Sequence, residues 1–234
     1  MNKKRILLTV LAMVLVCALS VAGTLALLAE STTTPVTNTF VASVPNPEDF
    51  VTTFEIKEYK VGPDAAGNYD YVGEDGTKLA EGAAKVEVNN NTYNVVPGVT
   101  LPKDAFVKLT RENDTPAYLF IEVDNNLDTS VFTMNVDTDD WGLLNGVTGK
   151  NGGNIYVLGT AANPTVLGTV ENGVYHIIDG NEVTVADTND LKITTSTADT
   201  IKFYAYICQA TVAKTDGTNT SDPAEVFGIC FPNS

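Results

Sequence analysis

Ile201-Lys202-Phe203-Tyr204-Ala205-Tyr206-Ile207-Cys208-Gln209-Ala210 is the stretch that decides the fold. Ile201, Phe203, Ala205 and Ile207 recur at every second position, so an extended chain gathers them on one face and turns the residues between them to the other. Phe54-Glu55-Ile56-Lys57 alternates in the same way. Working outward, runs rich in Thr, Val and aromatic residues read as strands at 39–42, 50–61, 69–72, 84–88, 93–96, 105–110, 117–124, 131–137, 154–159, 165–170, 174–178, 182–186, 191–195 and 200–212. Turn chemistry separates them at Gly62-Pro63-Asp64, Glu74-Asp75-Gly76, Asn89-Asn90-Asn91 and Asp216-Gly217. The segments on either side of Asp179-Gly180-Asn181 read as a β-hairpin. The glycine-rich run 143–153 reads as a mobile loop.

One segment asks for a helix. In Ser221-Asp222-Pro223-Ala224-Glu225, Asp222 is an N-cap, Pro223 takes the first helical position and Glu225 falls at N3. Leu-rich helical stripes are otherwise missing from the chain after Ser31. The expected fold is therefore all-β: a single jelly-roll-like β-sandwich with a short C-terminal helix, preceded by a signal-peptide helix.

That leading segment sets the domain plan. Lys3, Lys4 and Arg5 precede an apolar run from Ile6 to Ala22, then Gly23-Thr24-Leu25-Ala26, and no acidic residue occurs before Glu30. A basic start, an apolar middle and small residues at the cut are the layout of a secretory signal, with cleavage after Ala26. An uncleaved membrane anchor is the alternative reading of the same run. The expected units are a signal peptide at 1–26, an N-terminal segment at 27–43 and a β-sandwich at 44–234. Contact with a membrane is expected only through the precursor's signal segment.

Composition narrows the chemistry. The chain has 234 residues, with 29 acidic against 14 basic side chains and a net charge of −15, which excludes a protein that works by neutralising phosphates of nucleic acid. Loss of Lys3, Lys4 and Arg5 with the signal leaves 11 basic side chains and a charge of −18. One His and three Cys exclude most zinc, haem and iron–sulfur sites, so no metal ligand set is expected. His176 lies in the alternating Val174-Tyr175-His176-Ile177 and reads as a solvent-facing strand residue; no Gly-x-Ser-x-Gly elbow accompanies it. Asp137-Thr138-Asp139-Asp140-Trp141-Gly142 fails as an EF-hand because Trp141 and Thr148 occupy the fifth and twelfth ligand positions. Calcium held by carboxylates of separate loops stays open, without a location. Cys208 and Cys230 remain after cleavage, in a compartment that permits either a disulfide or two thiols. No catalytic residue emerges, and the chain reads as a non-enzyme.

Three blocks carry a resemblance. Gly23-Thr24-Leu25-Ala26, followed by Thr37-Asn38-Thr39-Phe40-Val41-Ala42-Ser43, resembles the SipW-type signal region of the TasA/camelysin-like proteins of Gram-positive bacteria. Tyr93-Asn94-Val95-Val96-Pro97-Gly98-Val99-Thr100-Leu101-Pro102-Lys103-Asp104 with the strand Ala117-Tyr118-Leu119-Phe120-Ile121-Glu122-Val123 is similar to the family's middle. Phe203-Tyr204-Ala205-Tyr206-Ile207-Cys208-Gln209-Ala210 with Pro223-Ala224-Glu225 is similar to its closing strand and helix. The resemblance implies a secreted biofilm-matrix fibre subunit, cut by a dedicated signal peptidase and partnered by other copies of itself. Residues 27–43 would then be a donor strand, with Val36, Phe40 and Val41 filling pockets of the next copy; a first strand within one monomer is the alternative. The family's metallopeptidase label finds no compact ligand motif here. A secreted β-sandwich module that binds a polysaccharide or a protein is the second expectation.

Overall fold

The structure is a computed structural model, and it describes residues 29–31, 38–39, 53–64, 68–93, 97–112, 115–168, 171–187 and 200–232. The expected signal helix, the cut after Ala26, Val36, Phe40, Val41 and the strand expected at 191–195 lie outside the described residues. Among those described, no helix is long and apolar enough to cross a membrane.

The strands, in chain order, are β1 (Ala29–Ser31), β2 (Asn38–Thr39), β3 (Thr53–Tyr59), β4 (Val61–Pro63), β5 (Tyr69–Tyr71), β6 (Glu87–Val88), β7 (Thr100–Pro102), β8 (Ala105–Arg111), β9 (Ala117–Asn125), β10 (Phe132–Thr133), β11 (Trp141–Thr148), β12 (Asn154–Leu158), β13 (Glu171–His176), β14 (Glu182–Val185), β15 (Ile201–Gln209), β16 (Val212–Ala213) and β17 (Asn219–Thr220), followed by helix α1 (Pro223–Cys230). The protein is all-β with one short C-terminal helix. One five-stranded sheet runs β1-β15-β9-β12-β11; a second runs β13-β8-β3-β2, with β6 also on β3. A three-stranded sheet, β10-β14-β7, lies beside them. Among the described residues every pairing between these strands is antiparallel, and the longest register runs from Ile201↔Asn125 to Gln209↔Ala117.

The alternation in β15 and β9 explains the layering. Phe203, Ala205 and Ile207, with Leu119, Ile121 and Val123 of β9, face Phe54, Ile56, Val107 and Leu109 of the second sheet across one core. Each such fully buried side chain contributes about 1.5–3 kcal/mol relative to exposure. The opposite faces of the same two strands are buried as well. Tyr118, Phe120, Tyr204, Tyr206 and Cys208 pack under Val226, Phe227 and Phe231 of the C-terminal segment. The first sheet is thus the middle layer, covered by the second sheet on one side and by α1 on the other. The helix begins as its sequence dictates: the Asp222 carboxylate accepts from the amides of Ala224 and Glu225, both at 3.0 Å.

Two local expectations are corrected. The segments flanking Asp179-Gly180-Asn181 do not form a hairpin: β13 pairs with β8, whereas β14 pairs with β7 and β10 in another sheet. Gly180 and Asn181 both have positive φ, 62° and 55°, and that left-handed step carries the chain from one sheet to the next. Nor is 143–153 a mobile loop. Residues 141–148 form β11, which pairs with β12 through Trp141↔Leu158 and Leu143↔Tyr156, and the turn behind it is tied to a buried carboxylate. The strand expected at 131–137 shortens to Phe132–Thr133, and Thr100–Pro102 is a strand that periodicity did not reveal.

Candidate functional sites

Cys208 and Cys230 are joined in a disulfide, with their Cα atoms 6.6 Å apart. One cysteine lies on the helix-covered face of β15 and the other ends α1, so the bond fastens the helix to the middle sheet. Closing a loop of this length restricts the unfolded chain by about 3 kcal/mol in the chain-entropy account.

His176 is not simply solvent-facing. Its side chain is 40% exposed, and Nδ1 lies 2.6 Å from Oδ1 of Asp104, which is buried. The other carboxylate oxygen meets Lys85 Nζ at 3.1 Å and accepts from the Tyr71 hydroxyl at 3.3 Å. The Lys85 ammonium sits 3.7 Å from the Tyr71 ring centroid and 4.6 Å from that of Tyr59. Burial pushes the Asp104 pKa up, but the bonds from His176 and Lys85 outweigh it and hold the carboxyl below its ordinary value. The hydrogen bond to Asp104 raises the His176 pKa, against the opposing pull of burial. Among the described residues no serine, threonine or cysteine hydrogen-bonds the imidazole. The cluster can hold charge and link β13, the start of β8 and the 78–93 excursion.

The single His makes this pair testable by pH. A folded pKa above the unfolded value of about 6.5 means that the stabilisation is complete below that pH and is lost as pH rises through the raised value. The unfolding free energy is therefore expected to decline with rising pH from near neutrality upward. His176→Asn should flatten that slope in urea melts taken across the series, and an unchanged slope would show that another group titrates.

Next to Asp104 in sequence, Lys103 turns the other way and meets Glu58 Oε2 at 2.5 Å, both side chains buried. The pattern of β3 holds the signal for it: Glu58 shares the buried file of Phe54 and Ile56. Arg111 and Glu122 are also fully buried, Arg111 against the carbonyls of Leu167 and Gly168, Glu122 against the turn after β11. Arg111 also meets the nearby Thr115 carbonyl, but most of their bonds reach 29 to 84 positions along the sequence, which is why no local motif revealed them.

An open cleft of about 490 Å3 lies where the inner face of the middle sheet runs past the core. Val123 and Asn125 of β9, Asn154 and Tyr156 of β12, the segment Met134, Asn135, Val136 and Thr138, and Asp179 line it. The Val136↔Ile178 bridge and the bond from Asp179 N–H to the Asn135 carbonyl hold its outer wall. Among the described residues no group of three or more His, Cys, Asp or Glu is placed to hold a metal ion. Set against known protein families, curated proteins and solved structures, the chain matches none of them.

Proposed function

We propose that this chain is a secreted structural protein of Gram-positive bacteria, a TasA/camelysin-like subunit of extracellular or biofilm-matrix fibres, with a jelly-roll-like fold that assembles by β-strand complementation. The observation that carries this reading is the pairing of the N-terminal segment. Ala29–Ser31 lies antiparallel on the edge of β15, in the register Ala29↔Cys208 to Ser31↔Tyr206, and Asn38–Thr39 lies on β3 opposite Ile56 and Glu55. One stretch of about seventeen residues thus supplies a strand to each of the two large sheets.

Without it, the β15 edge and the part of β3 that β6 does not cover would present unpaired amides and carbonyls, which an incoming copy's equivalent segment can satisfy. A cis arrangement closes the monomer; the same registers filled in trans make a chain of subunits. Domain exchange of this kind needs no new contacts, only a different donor.

Electron microscopy and light scattering of the secreted protein test the proposal. Fibres are expected from the chain beginning at Leu27, and none after deletion of residues 27–43. Adding a synthetic peptide of residues 27–43 to the deleted form should occupy the vacant edges and cap assembly of the longer form. Persistent monomers, or fibres that form equally well without the segment, would overturn it.

A further inference from the structure

We infer that the cleft between the ends of β9 and β12 binds a neutral oligosaccharide. The inference goes beyond fibre assembly and does not depend on it.

The residue pattern on the inner face of the middle sheet is the first observation. Leu119, Ile121 and Val123 of β9 point into the core between the sheets, and the next residue on that file is Asn125. Across the strand pair, the partners of Ile121 and Val123 are Tyr156 and Asn154. The file turns into carboxamides and a phenol where it becomes exposed; Asn125 Oδ1 accepts from the Leu127 N–H in the turn after β9, which leaves its amide donors for the cleft.

The second observation is what those groups do. The side chains of Asn135, Thr138 and Asp179, on the wall opposite, make no hydrogen bond or ion pair to the described residues. They stand around a floor of Val123, Met134 and Val136. Carboxamides donate and accept at once, as sugar hydroxyls do. The apolar floor and the half-buried Tyr156 ring offer surface to the C–H faces of a pyranose. The cleft volume is that of a small-ligand site.

Charge narrows the class. Among the described residues, Asp179 is the only ionisable side chain in the lining apart from the Tyr156 phenol, and the lining holds no Lys, Arg or His. With a net charge of −15 on the chain, uronates, phosphates and sulfates meet repulsion without a compensating cation. A single carboxylate with amide neighbours can instead accept from a pair of vicinal hydroxyls.

The test uses the protein as recovered from an expressing host, titrated with cellohexaose, laminarihexaose and chitohexaose, with polygalacturonate as the anionic control. Saturation-transfer NMR and calorimetry read binding. At least one neutral oligosaccharide is expected to bind and polygalacturonate is not. Asn135→Ala and Asp179→Ala should each weaken binding about tenfold, the worth of a lost hydrogen bond, while leaving the thermal midpoint in place because neither side chain supports the fold. Silence with all three oligosaccharides, equal binding of polygalacturonate, or affinity untouched by both variants would overturn the assignment. Fibre formation in those variants is expected to be unchanged, so failure here and failure of the fibre reading give different results.

Discussion

Glu122→Ala is expected to lower the unfolding free energy by about 3–5 kcal/mol, a loss near the upper end for single substitutions. Glu122 is fully buried in the middle of β9, yet it serves four donors. The amides of Asn151 and Gly153 reach Oε1 at 2.8 and 2.9 Å, the Asn151 carboxamide reaches Oε2 at 3.1 Å, and the Tyr206 hydroxyl reaches Oε2 at 2.5 Å. Alanine would strand the buried Gly153 N–H and the Tyr206 hydroxyl, each costing about 1–3 kcal/mol when left unpaired, and would leave a cavity under the turn. Asn151, which is exposed, recovers water and adds little.

Two glycines of this turn answer the close approach of β9. A Cβ on Gly149 would collide with the Glu122 carboxyl group, and one on Gly153 would lie 2.6 Å from the Val123 carbonyl. Glu122→Gln keeps the shape but aims an N–H group at other N–H groups, so it should lose roughly half as much as alanine. Urea denaturation with the slope held constant measures both. If Glu122→Ala shifts stability by no more than the roughly 0.5 kcal/mol of a surface change, the turn is held by other contacts.

That turn also shows where sequence reading succeeds and where it stops. The strands Ala105–Arg111, Ala117–Asn125 and Ile201–Gln209 are legible because burial on one or both faces forces a period of two or an unbroken apolar run. The helix is legible because Asp222, Pro223 and Glu225 act within four residues of one another. In the run 143–153, Gly149 and Gly153 mislead, since they answer a close approach by Glu122 and Val123 that only the folded sheet creates. Asp179-Gly180-Asn181 misleads for a related reason: turn residues fix a local change of direction but not which strand the chain meets afterwards. The functional groups are less legible still. His176 and Asp104 are 72 positions apart, and the cleft draws on four separate stretches of chain, so no spacing rule joins them.

The buried pair of Glu58 and Lys103 gives the second large effect. Lys103→Met or Glu58→Leu alone is expected to cost about 3–5 kcal/mol, because each leaves one charge in an apolar site with nothing to neutralise it. Glu58 leads out of the Phe54 and Ile56 file of β3, opposite Ala105 in the register with β8, and its Oε1 has no hydrogen-bond partner among the described residues. The Lys103 ammonium lies 5.8 Å from the Tyr93 ring, and its backbone N–H is fixed to the Asn181 carbonyl at 2.8 Å. Both groups are therefore held where water cannot follow them. The double variant Glu58→Leu/Lys103→Met removes both charges together and should return to within about 1 kcal/mol of the parent, or exceed it, since desolvating an ion pair offsets much of its attraction. The double-mutant cycle then yields a coupling of about 3 kcal/mol or more, large against the tenths expected for independent sites. Additive losses would instead mean that each residue matters for its packing alone. What a purely apolar pair would give up is the constraint at the corner where Lys103 and Asp104 point to opposite sides: one charge satisfied toward β3, the other toward His176. That alternation pins the register of β8 between β3 and β13, so the double variant is expected to keep its stability while losing hydrogen-exchange protection at the ends of those strands.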